Sequence, residues 1–342
     1  MTRTEIKLVL DGNGSYLGME KGCFVLKDKK GTVNKYPLFE QEIDEVILKS
    51  GNSISTGALA SFGFWDIDVL VMTSRGRPVA MLKSLDSDNY VLTRVAQYKA
   101  YLDERAYEIA KNIVKTKMES QNIILRKHGF EPHSPEYFEK IDKITGKSLE
   151  SFQRSINGVE GNFSQRYITK MFSLIPENIR PEKRAGFMAY DGTNNVFNLA
   201  YEMLGWKVHK SLLKAHLEPY LGFLHTSVQA STMSLVCDFQ EIYRAYVDDW
   251  VIGYLQNVKE RDFVTKTEVS NKRRRGKREY LNDFDTSDFM RELNGFFESI
   301  VEVKRLRNGE RQTLETLINE EAQLFAKYLR REVRTWIPRI AF

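Results

Sequence analysis

The chain changes rhythm once, and that change limits what it can fold into. Up to about Met81, apolar residues alternate in short runs: Ile6-Lys7-Leu8-Val9-Leu10, Cys23-Phe24-Val25-Leu26, Val46-Ile47-Leu48 and Val69-Leu70-Val71-Met72. Turn-forming stretches such as Asp11-Gly12-Asn13-Gly14, Asp28-Lys29-Lys30-Gly31 and Ser74-Arg75-Gly76-Arg77-Pro78 interrupt them. Period-two alternation with Gly, Asp and Asn punctuation is the pattern of short strands. Beyond about Leu82, apolar residues recur at three and four, the spacing of amphipathic helices. This predicts an α+β multidomain protein, with a small N-terminal β-rich domain over residues 1–82 followed by a larger all-α domain over residues 83–342. A chain of 342 residues can bury two cores.

Within the β-rich part, Ser55 is an N-cap candidate ahead of helix-spaced apolar residues through Phe62. In the second part a long amphipathic helix is expected from Tyr90 to Arg126, stopped by Gly129 with Pro132 close behind. A charged loop is expected from His133 to Asp142 and an irregular stretch from Pro176 to Ala185. Helices are expected over Asn194 to Lys214, Phe239 to Asn257 and Arg311 to Arg334. There is no internal repeat.

Hydrophobic residues make up 42% and charged residues 28%, an ordinary globular balance. No apolar run approaches the ~20 residues a membrane span requires, and Arg3, Glu5 and Lys7 do not suit a signal peptide. Cys23 and Cys237 fall in different predicted domains, so neither a disulfide framework nor a thiolate metal site is supported, and a reducing cytoplasm fits. A net charge of +5 says little, but its distribution says more. Lys272-Arg273-Arg274-Arg275-Gly276-Lys277-Arg278 puts six cations in seven residues with no acid. Nucleic-acid phosphate would neutralise such a run, and a solvated loop accounts for it equally.

Four metal-capable side chains sit in distinctive surroundings. Glu160 lies in Gly158-Val159-Glu160-Gly161-Asn162, and His225 closes Pro219-Tyr220-Leu221-Gly222-Phe223-Leu224-His225. Asp238 and Glu241 open a helical pattern three residues apart, on one face. Two acids and an imidazole leave a hard divalent ion room for waters or a substrate phosphate, so the set suits phosphodiester chemistry. Taken singly, each has a structural explanation: a turn acid between glycines, a core histidine like His209 or His216, an acid pair favoured at a helix start. Tyr167 reads as aromatic core. The neighbours Asp248 and Asp249 point about 100° apart on a helix and read mainly as surface or salt-bridge residues.

Together these strings resemble one family, the CRISPR-associated adaptation integrases (Cas1). The matching stretches are Gly158 to Asn162, Asp191-Gly192-Thr193-Asn194-Asn195-Val196-Phe197-Asn198, Leu217 to His225, and Cys237-Asp238-Phe239-Gln240-Glu241-Ile242-Tyr243-Arg244, in the family's order. Gly14 to Gly18 and Ser74 to Arg77 extend the likeness over nearly the whole chain. The resemblance implies a metal-dependent DNA endonuclease and integrase that inserts short foreign-DNA spacers into a CRISPR array by transesterification. It implies Mg2+ or Mn2+ held by Glu160, His225 and Glu241, with Asp238 as an adjacent catalytic acid that binds a second ion, holds water or orients another ligand. The family often has Asp where this chain has Glu241. Arg184, Asn194 and Asn195 are implied to contact phosphate or brace the site, and Arg184 joins the basic run as a DNA-binding candidate. The implied partners are double-stranded DNA (spacer precursor and CRISPR repeat), a second copy of the chain paired through the β-rich domain, and a small ferredoxin-like CRISPR-associated adaptation protein. Three other readings stay open: a stand-alone metal-dependent nuclease on branched or single-stranded DNA, a non-catalytic nucleic-acid-binding scaffold, and a metal hydrolase of small substrates.

Overall fold

A computed structural model describes residues 5–10, 13–37, 42–65, 67–73, 78–82, 84, 91–186, 189–225, 232–270, 274–303 and 310–340. It divides into two compact units, Met1–Asn89 and Tyr90–Phe342.

The first unit runs β1 (Glu5–Leu10), β2 (Tyr16–Glu20), β3 (Cys23–Lys27), β4 (Val33–Pro37), β5 (Glu42–Lys49), β6 (Ser53–Ile54), α1 (Thr56–Phe64), β7 (Asp68–Met72) and β8 (Pro78–Leu82). It forms two four-stranded sheets, ordered β1-β5-β7-β8 and β4-β3-β2-β6. The expected N-cap is in place, since Ser55 Oγ accepts from Ala58 N at 3.1 Å. Alternation buries Leu8, Leu17, Phe24, Val46 and Val69, and Phe62 of α1 stacks on Phe24 with centroids 4.3 Å apart.

The second unit begins with α2 (Val91–Tyr101), α3 (Arg105–Lys127), α4 (Glu136–Lys143), α5 (Leu149–Phe172), α6 (Gly192–Lys214) and α7 (Ser234–Leu255). It continues with β9 (Phe263–Ser270), β10 (Arg274–Leu281), α8 (Asp283–Phe297), β11 (Ile300–Val303), β12 (Glu310–Thr313) and α9 (Leu314–Leu329). Helices dominate as expected, with two antiparallel hairpins, β9–β10 and β11–β12, added to them. Among the described residues, no helix is long and apolar enough to cross a membrane. Both cysteines are free thiols.

Several boundaries differ from the sequence reading. The single helix expected over 90–126 is two, divided where the Asp103 carboxylate accepts from Arg105 N at 2.9 Å. The charged loop expected over 133–142 contains α4. Its acids Glu136 and Glu139 lie in the first turn and Lys140 and Lys143 in the last, as the helix dipole favours. The helix expected from Arg311 begins at Leu314, because 310–313 pair with β11 instead. Glycines 158 and 161, which suggested a turn, lie in the interior of α5, exposed and with nothing within 4 Å of an added Cβ.

The helix that organises this unit is α7, which packs against α3, α5 and α6. Leu235, Phe239, Ile242, Tyr243, Tyr246 and Val247 are buried at helical spacing. Buried polar residues follow the same period as a second stripe: Asp238, Glu241 and Asp248, with Arg244 between them. A helix buried on nearly every side places charged groups inside only where other elements bring partners.

Candidate active site

Three helices supply the centre of the site. Glu160 projects from α5, Glu241 from α7, and Lys117 from α3 pairs with both, its Nζ against Glu160 Oε1 and Glu241 Oε2. Lys117 is 8% and Glu241 4% exposed at the side chain, so this is an interior cluster. Glu160 Oε1 also accepts from Ser164 Oγ at 2.6 Å, and Glu241 Oε1 from Arg244 Nη1 at 2.5 Å. Glu241 Oε2 has the Lys117 ammonium as its partner. Burial opposes ionisation of Glu241, but Arg244, Lys117 and His225 outweigh it and hold the carboxyl well below its usual range. Burial likewise opposes the Lys117 ammonium, and Glu241 and Glu160 overcome it, so its pKa is raised.

His225 arrives on the loop that follows α6, and that loop is tied down from three directions. Gln97 of α2 accepts from Glu218 N at 2.8 Å and donates to the carbonyls of Glu218 and Leu221. Gln153 of α5 donates to Phe223 O at 2.8 Å. Asp238, with no exposed surface, accepts from the backbone N–H groups of Phe223 (2.5 Å), Leu224 (3.0 Å) and His225 (2.9 Å). The same carboxylate meets His225 Nδ1 at 2.8 Å, which turns Nε2 toward Glu241 Oε1, 4.0 Å away. Gly222 permits this approach: a Cβ there would lie 2.8 Å from Asp238 Oδ2 and 2.7 Å from the Ser234 backbone. Burial disfavours the imidazolium, but Asp238 and Glu241 more than compensate, so the His225 pKa is raised.

Next to the acids lies a buried relay of polar groups. The Arg244 guanidinium sits 4.6 Å from the Tyr201 ring centroid, and the Tyr201 hydroxyl donates to Asp248 Oδ1. Asp248, read from sequence as a surface or salt-bridge residue, is 3% exposed, and burial pushes its carboxyl up to about 6 against the pull of Tyr201, Arg244 and Arg184. Asp249 does form the expected ion pairs, accepting from Lys127 Nζ and His128 Nε2, both at 2.6 Å. Tyr167 is buried core, as expected.

The structure thus brings Glu160, His225, Asp238 and Glu241 together, while the DNA-binding candidates fare differently. Arg184 is committed internally, donating to Asn194 Oδ1 at 3.0 Å and Asn198 Oδ1 at 2.6 Å with its guanidinium 5.1 Å from the Tyr201 ring centroid. Asn194 and Asn195 are buried braces. Lys272 and Arg273 lie outside the described residues; from Arg274 onward the run belongs to β10 and is paired strand rather than free loop. Lys277 is exposed, whereas Arg278 is not available to phosphate. It is 3% exposed, donates to Ala189 O at 3.2 Å and lies 4.6 Å from the Tyr190 ring centroid. A cleft of about 850 Å³ near the C-terminal end of α7 has five acids in its lining, Asp249, Asp262, Asp285, Asp288 and Glu292, against Lys127 and His128. That lining repels a polyanion, and the cleft shares no residue with the site.

Sequence reasoning missed Lys117, Arg244, Gln97 and Gln153. Arg244 was within reach as a cation three residues beyond Glu241 on one helix face. Lys117 left a fainter sign: Thr116, Lys117, Ser120 and Gln121 break the apolar face of α3 with polar groups that need partners. Neither glutamine carries a local signal, since each acts on a loop at least 70 residues away.

Comparison with known proteins bears on the family and the fold. The family described as CRISPR associated protein Cas1 matches residues 8–286. A CRISPR-associated endonuclease Cas1 from Archaeoglobus fulgidus is 29% identical over 269 residues, covering 72% of this chain and 77% of the relative. Among solved structures, a casposase bound to integration product superposes with a TM-score of 0.77 at 20% identity, covering 96% of this chain and 92% of the other. A Cas1 protein from Thermotoga maritima gives a TM-score of 0.74 at 19% identity over 95% and 97%.

Proposed function

Because the chain belongs to the CRISPR-associated Cas1 family, we propose that it is a metal-dependent DNA endonuclease and integrase that inserts short foreign DNA into a CRISPR array. The observation that carries the chemistry is Glu241, joined to Glu160 through Lys117 and 4.0 Å from His225 Nε2, with His225 Nδ1 held by Asp238.

Among the described residues no three such donors close on one point while Lys117 stands between the acids, but their types suit a divalent ion. Two carboxylates and an imidazole are hard and borderline ligands, and a cationic group already stands between the acids. Burial and the nearby Asp238 push the Cys237 thiol up, which disfavours a thiolate, and the oxygen-rich set favours Mg2+ or Mn2+ over a closed zinc shell. Glu160, Glu241 and His225 would hold the ion. When bound, it would polarise the scissile phosphate and acidify a water or a 3′-hydroxyl.

The remaining work falls to the chain's own residues. Asp238 fixes the imidazole so that Nε2 faces the acids, the carboxylate–histidine arrangement that orients a metal ligand. Of the roles open to it, orienting is the one its hydrogen bonds favour, since Oδ1 and Oδ2 are both engaged. Arg244 keeps Glu241 ionised and fixes its Oε1. Strand transfer would need the attacking 3′-hydroxyl positioned but no protein nucleophile. Two transfers per insertion call for two sites, and the family resemblance implies that a homodimer through the β-rich unit, assembled with the small ferredoxin-like partner, supplies them. In that unit, Phe64, Trp65 and Val79 are exposed apolar residues that suit association with another protein.

Purified protein, with and without the partner, is incubated with 3′-hydroxyl DNA and a supercoiled repeat-bearing plasmid. Strand transfer is expected only with Mg2+ or Mn2+, and Glu160→Ala, His225→Ala and Glu241→Ala should each reduce it about 100-fold or more. A folded variant within a few-fold of the parent would remove that residue from the site. Cleavage without transfer, even with the partner, would instead indicate a stand-alone nuclease.

A further inference from the structure

Two ionised carboxylates on different helices, enclosed where water is scarce, repel one another and leave α5 and α7 unwilling neighbours. The chain answers with Lys117. Its side chain leaves α3, is almost wholly enclosed, and ends with Nζ against Glu160 Oε1 on one side and Glu241 Oε2 on the other. Ser164 Oγ donates to the same Glu160 oxygen that Lys117 meets, while Arg244 takes the other oxygen of Glu241. Lys117 is therefore the group that fills the space where the carboxylates face each other, and that space is where a divalent ion would be ligated.

We propose that Lys117 is an internal counter-cation that holds the place of the metal and is displaced when the ion enters. This rests on the metal-dependent reading above. Three facts carry it. The ammonium touches one oxygen of each acidic ligand, so an ion cannot take those two oxygens while Nζ stays. Lys117 and a divalent ion would repel at close range in a poorly screened site. An ammonium on four methylenes can withdraw by rotating about single bonds, which a rigid guanidinium fork does less readily. Arg244, by contrast, binds Glu241 Oε1 from the same helix and can stay while the ion loads. Metal affinity is then the intrinsic affinity of the ligands less the cost of evicting Lys117, and the empty site keeps α3, α5 and α7 joined.

Mn2+ binding to the full-length protein, followed by loss of the free-ion EPR signal, tests the exchange. Lys117→Met is expected to bind Mn2+ about tenfold tighter than the parent or better, whereas Lys117→Arg, which keeps the charge, should bind no tighter. Thermal unfolding gives a second readout: without metal Lys117→Met should melt below the parent, and Mn2+ should raise its melting temperature by more than it raises the parent's. If Lys117→Met does not fold even with Mn2+, Lys117→Gln decides the matter, with the same direction expected. Binding by either folded variant that is equal to or weaker than the parent's overturns the proposal, as does an Mn2+-loaded structure with Nζ still between the acids. If the parent binds Mn2+ and Glu160→Gln abolishes it, while Lys117→Met binds no tighter, only the exchange fails. If neither parent nor Lys117→Met binds at millimolar Mn2+, the metal-dependent reading fails with it.

Discussion

Asp248→Asn should stabilise the protein at neutral pH and give nothing at acid pH. The carboxyl is buried beneath the Tyr201 hydroxyl and is pushed up to about 6 from its ordinary 3.8, burial outweighing Tyr201, Arg244, Arg184 and Tyr167. Between about pH 4 and 6 the unfolded chain has lost this proton while the folded chain keeps it. The folded form then binds more protons, so stability falls as pH rises through that window and stays low above it. A difference of about two pH units corresponds to about 3 kcal/mol at neutral pH. The amide removes the charge and still offers Tyr201 an oxygen, but Arg244 and Arg184 lose a nearby anion, so the net gain expected is about 1–3 kcal/mol. Urea denaturation of parent and variant, followed by circular dichroism at several pH values from about 4 to 8, measures it. The variant-minus-parent difference cancels the other titrating groups, apart from those coupled to Asp248. The difference should grow in the variant's favour between about pH 4 and 6, be half complete at about pH 5, and level off above that window. If Asp248→Asn is less stable than the parent by about 1 kcal/mol or more at neutral pH, pairing with arginine dominates over burial and the predicted sign is wrong.

Further outcomes follow from the loop, the hairpin and the β-rich unit. Gly222→Ala must push its Cβ away from Asp238 and Ser234, so it should cost about 1–3 kcal/mol and weaken Mn2+ binding by displacing His225; unchanged stability and affinity would show that the loop yields freely. Replacing Arg274, Arg275 and Lys277 with Gln should weaken binding to unrelated DNA sequences alike and reduce the slope of log K against log salt by about 0.9 for every phosphate that is no longer neutralised. Arg278→Gln should instead lower the melting temperature, because its partners are Ala189 and Tyr190, and a pure salt-slope effect would contradict that placement. Multi-angle light scattering of the full-length protein should report a dimer at micromolar concentration, and a monodisperse monomer would rule out pairing through the β-rich unit.

What the sequence disclosed, and what it hid, divides along chain distance. The change of period near residue 82, the Ser55 cap and the placing of Asp238 and Glu241 on one face are local facts, and each stands in the structure. The start of α9 was misplaced because residues 310–313 take their conformation from Ile300–Val303, a partner that no window around Arg311 contains. The glycines beside Glu160 misled for a related reason: their propensity opposes helix, and the packing of Phe152, Phe163 and Tyr167 on either side overrides it. Burial of charge is the least legible property. Whether Lys117 is a surface cation or an interior one depends on acids 43 and 124 residues further on, and the burial of Asp248 on Tyr201, 47 residues earlier. The resemblance to the Cas1 family identified Glu160, His225, Asp238 and Glu241, but not the cations that neutralise them.

The glycine pair in α5 gives the two acids of the site different mechanical characters. Glu241 stands on a helix enclosed on nearly every side, with Arg244 gripping one of its oxygens. Glu160 stands between two glycines that have no side chain to pack and open space outside them, each costing the helix about 1 kcal/mol relative to alanine. One acid is a fixed anvil, the other rides on the softest turn of its helix. Any change in the size of the cation between them, ammonium or metal, will then be taken up by α5, and the amides around Glu160 will exchange with solvent sooner than those around Glu241.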